Sequence, residues 1–261
     1  MKKNKIVLLM VLMIAVFFTG CTNKDQTTME KIETEGEMSF AMTGGYPPFN
    51  FINEEGDLDG FDIDIAKALA NEMGVKAVGI TTAWDGIIGG LLSSRFDTII
   101  GSMAINDARL EKVNFTSPYY YDGAQFFSTS EFDLASIKDL KEGKVGVVTG
   151  TTYQDALIKM DNIDKIMQFE SDVDNIMALE QHRTDGLVTG RFVGLAAPKK
   201  YDVDLIPVGE MLYAEDIGIA VRKGDTEFLK TLNEALATII ANGTYNEISQ
   251  KWFNTNILEK R

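Results

Sequence analysis

From Met38 to Phe253 the chain alternates apolar runs of strand length with stretches whose apolar residues recur at helical spacing. A strand can rejoin its own sheet in parallel only through a crossover, so this alternation predicts βαβ units and mainly parallel sheets, an α/β fold. Met38 to Met42 reads as the first strand. Phe61, Ile65, Leu69 and Met73 form a period-four stripe, which predicts a helix ended by Gly74. A second helix is expected from Trp84 to Ser93, before a strand over Thr98 to Gly101. The pattern restarts downstream. Strands are expected over Lys144 to Thr149, Lys165 to Phe169 and Gly186 to Thr189, with helices opening at the Thr151–Thr152 step and spanning Val173 to Leu179. A strand over Ile217 to Val221 and a helix over Phe228 to Ala241, closed by Gly243, follow. Thr244-Tyr245-Asn246-Glu247 reads as a capping box for a last helix carrying Trp252 and Phe253. No internal repeat or low-complexity block interrupts the pattern.

The N-terminus reads differently. Lys2, Lys3 and Lys5 precede an uninterrupted apolar run, Ile6 to Phe18, and then Thr19-Gly20-Cys21. The run is short for a permanent span, which needs about 20 residues, and it ends in small residues where a peptidase must fit. Residues 1–20 are therefore expected to be a signal peptide. Phe18-Thr19-Gly20-Cys21 resembles the bacterial lipobox, although Phe18 stands where the pattern usually has Leu. The Cys21 thiol is then expected to carry a diacylglyceryl anchor on the extracytoplasmic face, the alternatives being a plain secretory signal or a buried thiol. Residues 21–37, polar with few apolar positions, read as a flexible tether. Cys21 is the chain's one cysteine, so the body has no internal disulfide and relies on its core.

The formal charge of −14 falls to −17 once the three lysines of the signal are removed, and the basic residues form no run. Nucleic acid and anionic lipid, both bound through clusters of Lys and Arg, are poor partners. No GxSxG elbow, HExxH pair, P-loop or GxGxxG fingerprint is present, and the one histidine, His182, reads as a solvated surface residue. Nucleophilic triads and His or Cys metal sites are accordingly not expected, nor is a cofactor. Catalysis by carboxylates alone stays open on composition.

Four segments carry residues suited to a small zwitterion: Tyr46-Pro47-Pro48-Phe49-Asn50-Phe51, Gly60-Phe61-Asp62-Ile63-Asp64, Gly101-Ser102-Met103-Ala104 with Arg109, and Asn114-Phe115-Thr116-Ser117-Pro118-Tyr119-Tyr120. With Thr149-Gly150-Thr151-Thr152 and the ending Gly243-Thr244-Tyr245…Lys251-Trp252-Phe253, the chain from about Gly36 to Phe253 resembles the solute-binding proteins of polar amino-acid ABC importers, the bacterial extracellular solute-binding protein family 3. The resemblance implies a two-lobe clamp of type II, with two mixed α/β lobes joined by two hinge strands. Lobe 1 is expected over 38–119 and 212–261, lobe 2 over 120–211, and hinges near Tyr120–Gly123 and Leu212–Asp216.

It also implies roles. The ligand carboxylate falls to Arg109, whose guanidinium matches a carboxylate with two charge-assisted hydrogen bonds; a surface ion pair with Asp107 or Glu111 is the rival. Ser102, Ala104 and the backbone around them complete that end of the site. Thr152 matches a donor from lobe 2, or serves as a helix cap. Tyr46 and Trp84 match aromatic walls, with core packing as the alternative. Asp62 and Asp64 open a helix, where acids favour the dipole, and are taken as structural.

The chain departs from the family after Asp185-Gly186-Leu187-Val188-Thr189, where most members place the Asp that binds the ligand ammonium and this sequence has Gly190. Enclosing an ammonium without a counter-charge is costly. Asp122 or Glu215 supplies the acid, or water keeps the ammonium solvated, or the ligand lacks an α-ammonium; the first is preferred. Ala104 replaces a frequent hydroxyl residue, and Thr43 stands where binders of basic side chains often have an acid. The resemblance implies capture of a polar amino acid or related carboxylate by a monomer, which delivers it to an ABC permease and its ATPase without chemistry. The enzyme alternative is a cyclohexadienyl dehydratase-like activity on the same fold. An extracellular sensor domain is a third reading, but no spanning helix or signalling domain follows Phe253.

Overall fold

The computed structural model describes residues 26–259, so the expectations for the signal peptide and Cys21 lie outside the described residues. Helix α1 (Thr28–Glu35) precedes strand β1 (Glu37–Met42) and a small antiparallel sheet of β2 (Gly45–Tyr46), β3 (Asn50–Ile52) and β4 (Leu58–Asp59). Then come α2 (Phe61–Glu72), β5 (Lys76–Thr81), α3 (Ile87–Leu92), β6 (Thr98–Ala104), α4 (Asp107–Leu110) and β7 (Val113–Phe115). β8 (Tyr120–Ser128) leads into β9 (Gly143–Val148), α5 (Thr152–Leu157), β10 (Ile163–Phe169), α6 (Asp172–Glu180), β11 (Gly186–Gly190), α7 (Arg191–Tyr201) and β12 (Ile206–Pro207). β13 (Tyr213–Arg222) returns the chain, and α8 (Thr226–Ala241) and α9 (Thr244–Phe253) pack beside α2.

The strands divide into two parallel cores joined by two antiparallel crossing strands. β1 lies between β5 and β6, paired in parallel with both, and β9 lies likewise between β10 and β11. β13 runs antiparallel to β6, β8 runs antiparallel to β11, and the two crossing strands pair with each other from Tyr120↔Ile217 to Ala124↔Tyr213. This is a two-lobe α/β clamp in which both connections pass through one paired ribbon.

Periodicity explains the packing. Phe61, Ile65 and Leu69 on α2 are fully buried, facing Phe228, Leu232 and Leu236 of α8, so each stripe covers the other. Burying such side chains stabilises by about 1.5–3 kcal/mol each. The second lobe has its own core around Phe126, Val145, Val147, Leu157 and Val188. His182 lies exposed at a turn with φ +53°.

Three local expectations change. The stretch read as tether contains α1: Thr27 accepts from the Glu30 N–H while the Glu30 carboxylate accepts from the Thr27 N–H, a complete capping box. Ile32 is fully buried, and Thr28 and Lys31 bond to Asp225 and Asp97, so the segment is docked. The last helix is capped by Gly243 at φ +90°, and Thr244 bonds to Asn242 through its N–H; the predicted Thr244–Glu247 box does not form. The helix expected from Trp84 spans only Ile87–Leu92, because Gly86 at φ +88° breaks the backbone before it. Trp84 is left on the preceding loop, free to face the cleft.

Candidate ligand-binding site

Between the lobes, at the carboxyl ends of β6, β9 and β10, lies a cavity of about 480 Å³ including its mouth. Thr43, Tyr46, Trp84, Ser102, Ala104 and Arg109 line it from the first lobe, and Thr151, Thr152, Tyr153, Glu170, Ser171 and Asp172 from the second. Glu215, on crossing strand β13, forms part of its wall. A crevice at the carboxyl ends of parallel strands is where α/β sheets present loop residues and helix starts to a ligand.

Arg109 is positioned by its own short helix. Asn106 caps α4 by accepting from the Arg109 N–H at 2.9 Å, and Arg109 Nη1 donates to the Ala104 carbonyl at 2.8 Å. The guanidinium stands 5.5 Å over the Trp84 ring, not paired with Asp107 or Glu111. Burial lowers its pKa, partly offset by Glu215, and an arginine in this setting stays charged.

Ser102 is a cavity residue whose hydroxyl is already committed. It donates to Asp62 Oδ2 at 2.9 Å, alongside Asn50 Nδ2 at 2.8 Å, while Tyr119 Oη donates to Asp62 Oδ1 at 2.6 Å and accepts from the Ser102 N–H at 3.0 Å. The network holds Ser102 at φ +61°, a conformation rare outside glycine. Burial pushes the Asp62 carboxyl up to about 6 against the pull of these three donors. Asp64 accepts from Lys251 Nζ at 2.6 Å and Trp252 Nε1 at 2.8 Å, tying α2 to α9.

The cleft is closed. Trp84 Nε1 donates to the Gly150 carbonyl at 3.1 Å, and the hydroxyls of Tyr46 and Tyr153 lie 3.3 Å apart, two bridges between the lobes. Thr152, expected to serve the ligand or cap a helix, lines the cavity and donates to Glu215 Oε1 at 2.5 Å; the cap is Thr151. The Glu215 pKa is raised by burial, opposed by Thr152 and Arg109.

Asp122 and Gly190 are not among the cavity-lining residues, yet they adjoin its floor. A Cβ at Gly190 would lie 2.3 Å from Tyr46 Oη, 2.9 Å from Asp122 Oδ2 and 3.2 Å from Tyr153 Oη, so the tyrosine pair and Asp122 fill the space an acid there would need. Neither Asp122 oxygen has a partner meeting hydrogen-bond geometry among the described residues. Burial pushes its carboxyl up to about 8, the Gly123 N–H draws it down from outside bonding geometry, and Glu215 raises it further.

Sequence reading missed Tyr153, Glu170, Ser171 and Asp172. Asp172 is 6% exposed and accepts from Thr189 Oγ1 at 2.5 Å, and its burial pushes it up to about 7. Ser171 caps α6, so the available signal was an N-cap after a strand, which marks a helix start but not a cleft. No cluster of three or more His, Cys, Asp or Glu side chains is arranged to hold a metal among the described residues.

Two lobes on a paired hinge, with an arginine and several carboxyls facing each other across a closed, aromatic-walled cavity, define a solute-binding clamp. The chain belongs to the bacterial extracellular solute-binding proteins, family 3, whose model matches residues 38–255. It is 32% identical to the L-cystine-binding protein TcyJ of Escherichia coli (strain K12), over 95% of this chain and 96% of that one. Among solved structures it resembles a mutant of ArgBP from T. maritima, with TM-score 0.83 and 32% identity over 87% of this chain and 100% of the other. It also resembles the ancestral amino acid-binding protein AncCDT-1, a precursor of cyclohexadienyl dehydratase, with TM-score 0.82 and 34% identity over 87% of this chain and 100% of that one.

Proposed function

We propose that this protein captures a polar amino acid, or a related small carboxylate, outside the cytoplasmic membrane and delivers it to an ABC permease with its ATPase. The observation that carries the reading is Arg109, a cavity guanidinium with one donor held by Ala104 and no ion-paired carboxylate among the described residues, facing the space between closed lobes. A ligand carboxylate gives it the bidentate partner it lacks. Tyr46 and Trp84 wall the ligand, and Glu215 supplies negative charge opposite Arg109. Lobe 1 comprises 38–119 and 212–261 and lobe 2 comprises 120–211, and binding shifts the hinged equilibrium toward the closed form that the permease reads.

The protein works as a monomer held by a lipid on Cys21. Release of a Cys21→Ala variant from the membrane fraction supports the anchor; unchanged fractionation counts against it. No chemistry belongs to this reading, and turnover of a cyclohexadienyl acid by the purified protein would replace it with the dehydratase alternative.

The decisive experiment is to denature the purified protein and identify any released small molecule by mass spectrometry, followed by a thermal-shift screen of amino acids. A ligand at about 100 times its dissociation constant adds about 2.7 kcal/mol. An absence of any amino-acid shift and of any released carboxylate would sink the proposal.

A further inference from the structure

Gly190 ends β11 opposite Ala124 of β8, and Asp122 lies two residues from Ala124 on the same face of that strand. From there Asp122 Oδ2 comes within 2.9 Å of the point where a side chain at residue 190 would begin. Where the resemblance implies a carboxylate on β11, the structure has one carried by the neighbouring strand. It is 7% exposed, has no partner meeting hydrogen-bond geometry among the described residues, and borders a second cavity with Arg191 and Glu215.

The hydroxyls of Tyr46 and Tyr153, one from each lobe and both from residues that line the cavity, lie 2.3 and 3.2 Å from that same point. In the bond between them one hydroxyl donates and the other accepts. Neither hydroxyl is hydrogen-bonded to Asp122, whose Oδ2 lies across that same point from them. Their oxygen lone pairs then serve a donor in the cavity. We infer that Asp122, by its charge beside the Tyr46–Tyr153 hydroxyl pair, is the acid that neutralises the ligand's α-ammonium in this protein, displaced from residue 190 to strand β8. This rests on the amino-acid reading of the site. Asp122 acts by its charge, and the tyrosine oxygens make the contact. Gly190 is required by the arrangement, since any Cβ there displaces Tyr46 Oη.

The inference carries a pH signature. Asp122 is pushed up to about 8 by burial, and Glu215 on β13 adds to the rise. Arg191 on α7 and the N–H groups of Gly123 and Phe192 oppose it, and the hydroxyls of Tyr46 on β2 and Tyr153 on α5 face it from the cavity. A cation arriving above it favours the ionised form, so below about pH 8 binding expels a proton and affinity rises with pH.

The test is calorimetry on the purified protein with L-arginine, L-glutamine and L-cystine, and with the desamino analogue of each one that binds, at about pH 6 and about pH 8. Asp122→Asn should weaken amino-acid binding about 10-fold or more at the higher pH and flatten the pH dependence, while leaving the desamino analogue unchanged. Tyr153→Phe should show the same selective loss, which keeps the inference testable if the Asn variant does not fold. Amino-acid binding that both variants leave unchanged, or equal losses for the desamino analogue, overturns the inference alone. A wild-type protein that binds none of the three overturns the reading of the site and this inference with it.

Discussion

Arg109 has its place because Asn106 caps its helix and Ala104 holds one arm of its guanidinium, which leaves the remaining donors to the cavity. Arg109→Ala should therefore weaken amino-acid binding about 10-fold or more with little change in folding, since two charge-assisted hydrogen bonds at about 1.5–3 kcal/mol each are removed. Calorimetry checks this, and an unchanged affinity would remove Arg109 from the site. Titration of the buried acids gives a second prediction. Asp62, Asp172 and Asp122 stand at about 6, 7 and 8 in the fold against 3.8 for a free carboxyl, all raised by burial. A raised acid contributes stability that is complete below its unfolded value and is lost as pH rises through its folded one. The ligand-free protein should accordingly become less stable from about pH 4 to about pH 8, and a urea midpoint that climbs over this range would contradict the assignment. That Arg109 lies in the cavity was legible in the sequence because its motif is contiguous. Asp172 was not, because an acid after Ser171 reads first as a helix start.

Among the elements, α1 departs most from expectation. One apolar side chain in a polar stretch makes little periodic signal, yet Ile32 is fully buried and a capping box fixes the helix around it. Arg222 Nη2 and Asp225 both bond to Thr28, so the docking completes a polar cluster at the end of β13. Ile32→Ala should cost about 2–4 kcal/mol in urea denaturation, whereas a free tether would lose nothing measurable. The long helix α2 and strands such as β1, β9 and β11 were legible, because a stripe such as Phe61, Ile65 and Leu69 is a local property of the chain, whereas crossing strand β8 and helix α7 were not. Boundaries were less legible. Gly86 and Gly243 adopt left-handed backbone and moved two helix starts by geometry that no periodicity records.

The whole molecule is a clamp caught shut, and the bridges that shut it are few. Trp84→Phe keeps the aromatic wall but removes the 3.1 Å bond to Gly150, so it should weaken ligand binding several-fold, in line with about 0.5–1.5 kcal/mol for one hydrogen bond. Small-angle scattering should show a less complete compaction on adding ligand than in the wild type. Equal affinity and equal compaction would mean that this bridge is incidental to closure.

The sequence by itself determined the alternation of strands and helices, the order of the motifs and hence the two-lobe family, because each depends on residues a few positions apart. Tertiary structure alone decided which side chains share the cavity. Tyr46 and Tyr153 lie 107 positions apart, and Thr152 and Glu215 lie 63 apart. Gly190, which the sequence shows only as a missing acid, becomes in three dimensions the point around which Tyr46, Tyr153 and Asp122 converge. Local patterns are set by backbone periodicity and by which residues tolerate water. The composition of a site between lobes is set by register across β8, β11 and β13 and by closure, and neither is written in any one stretch of chain.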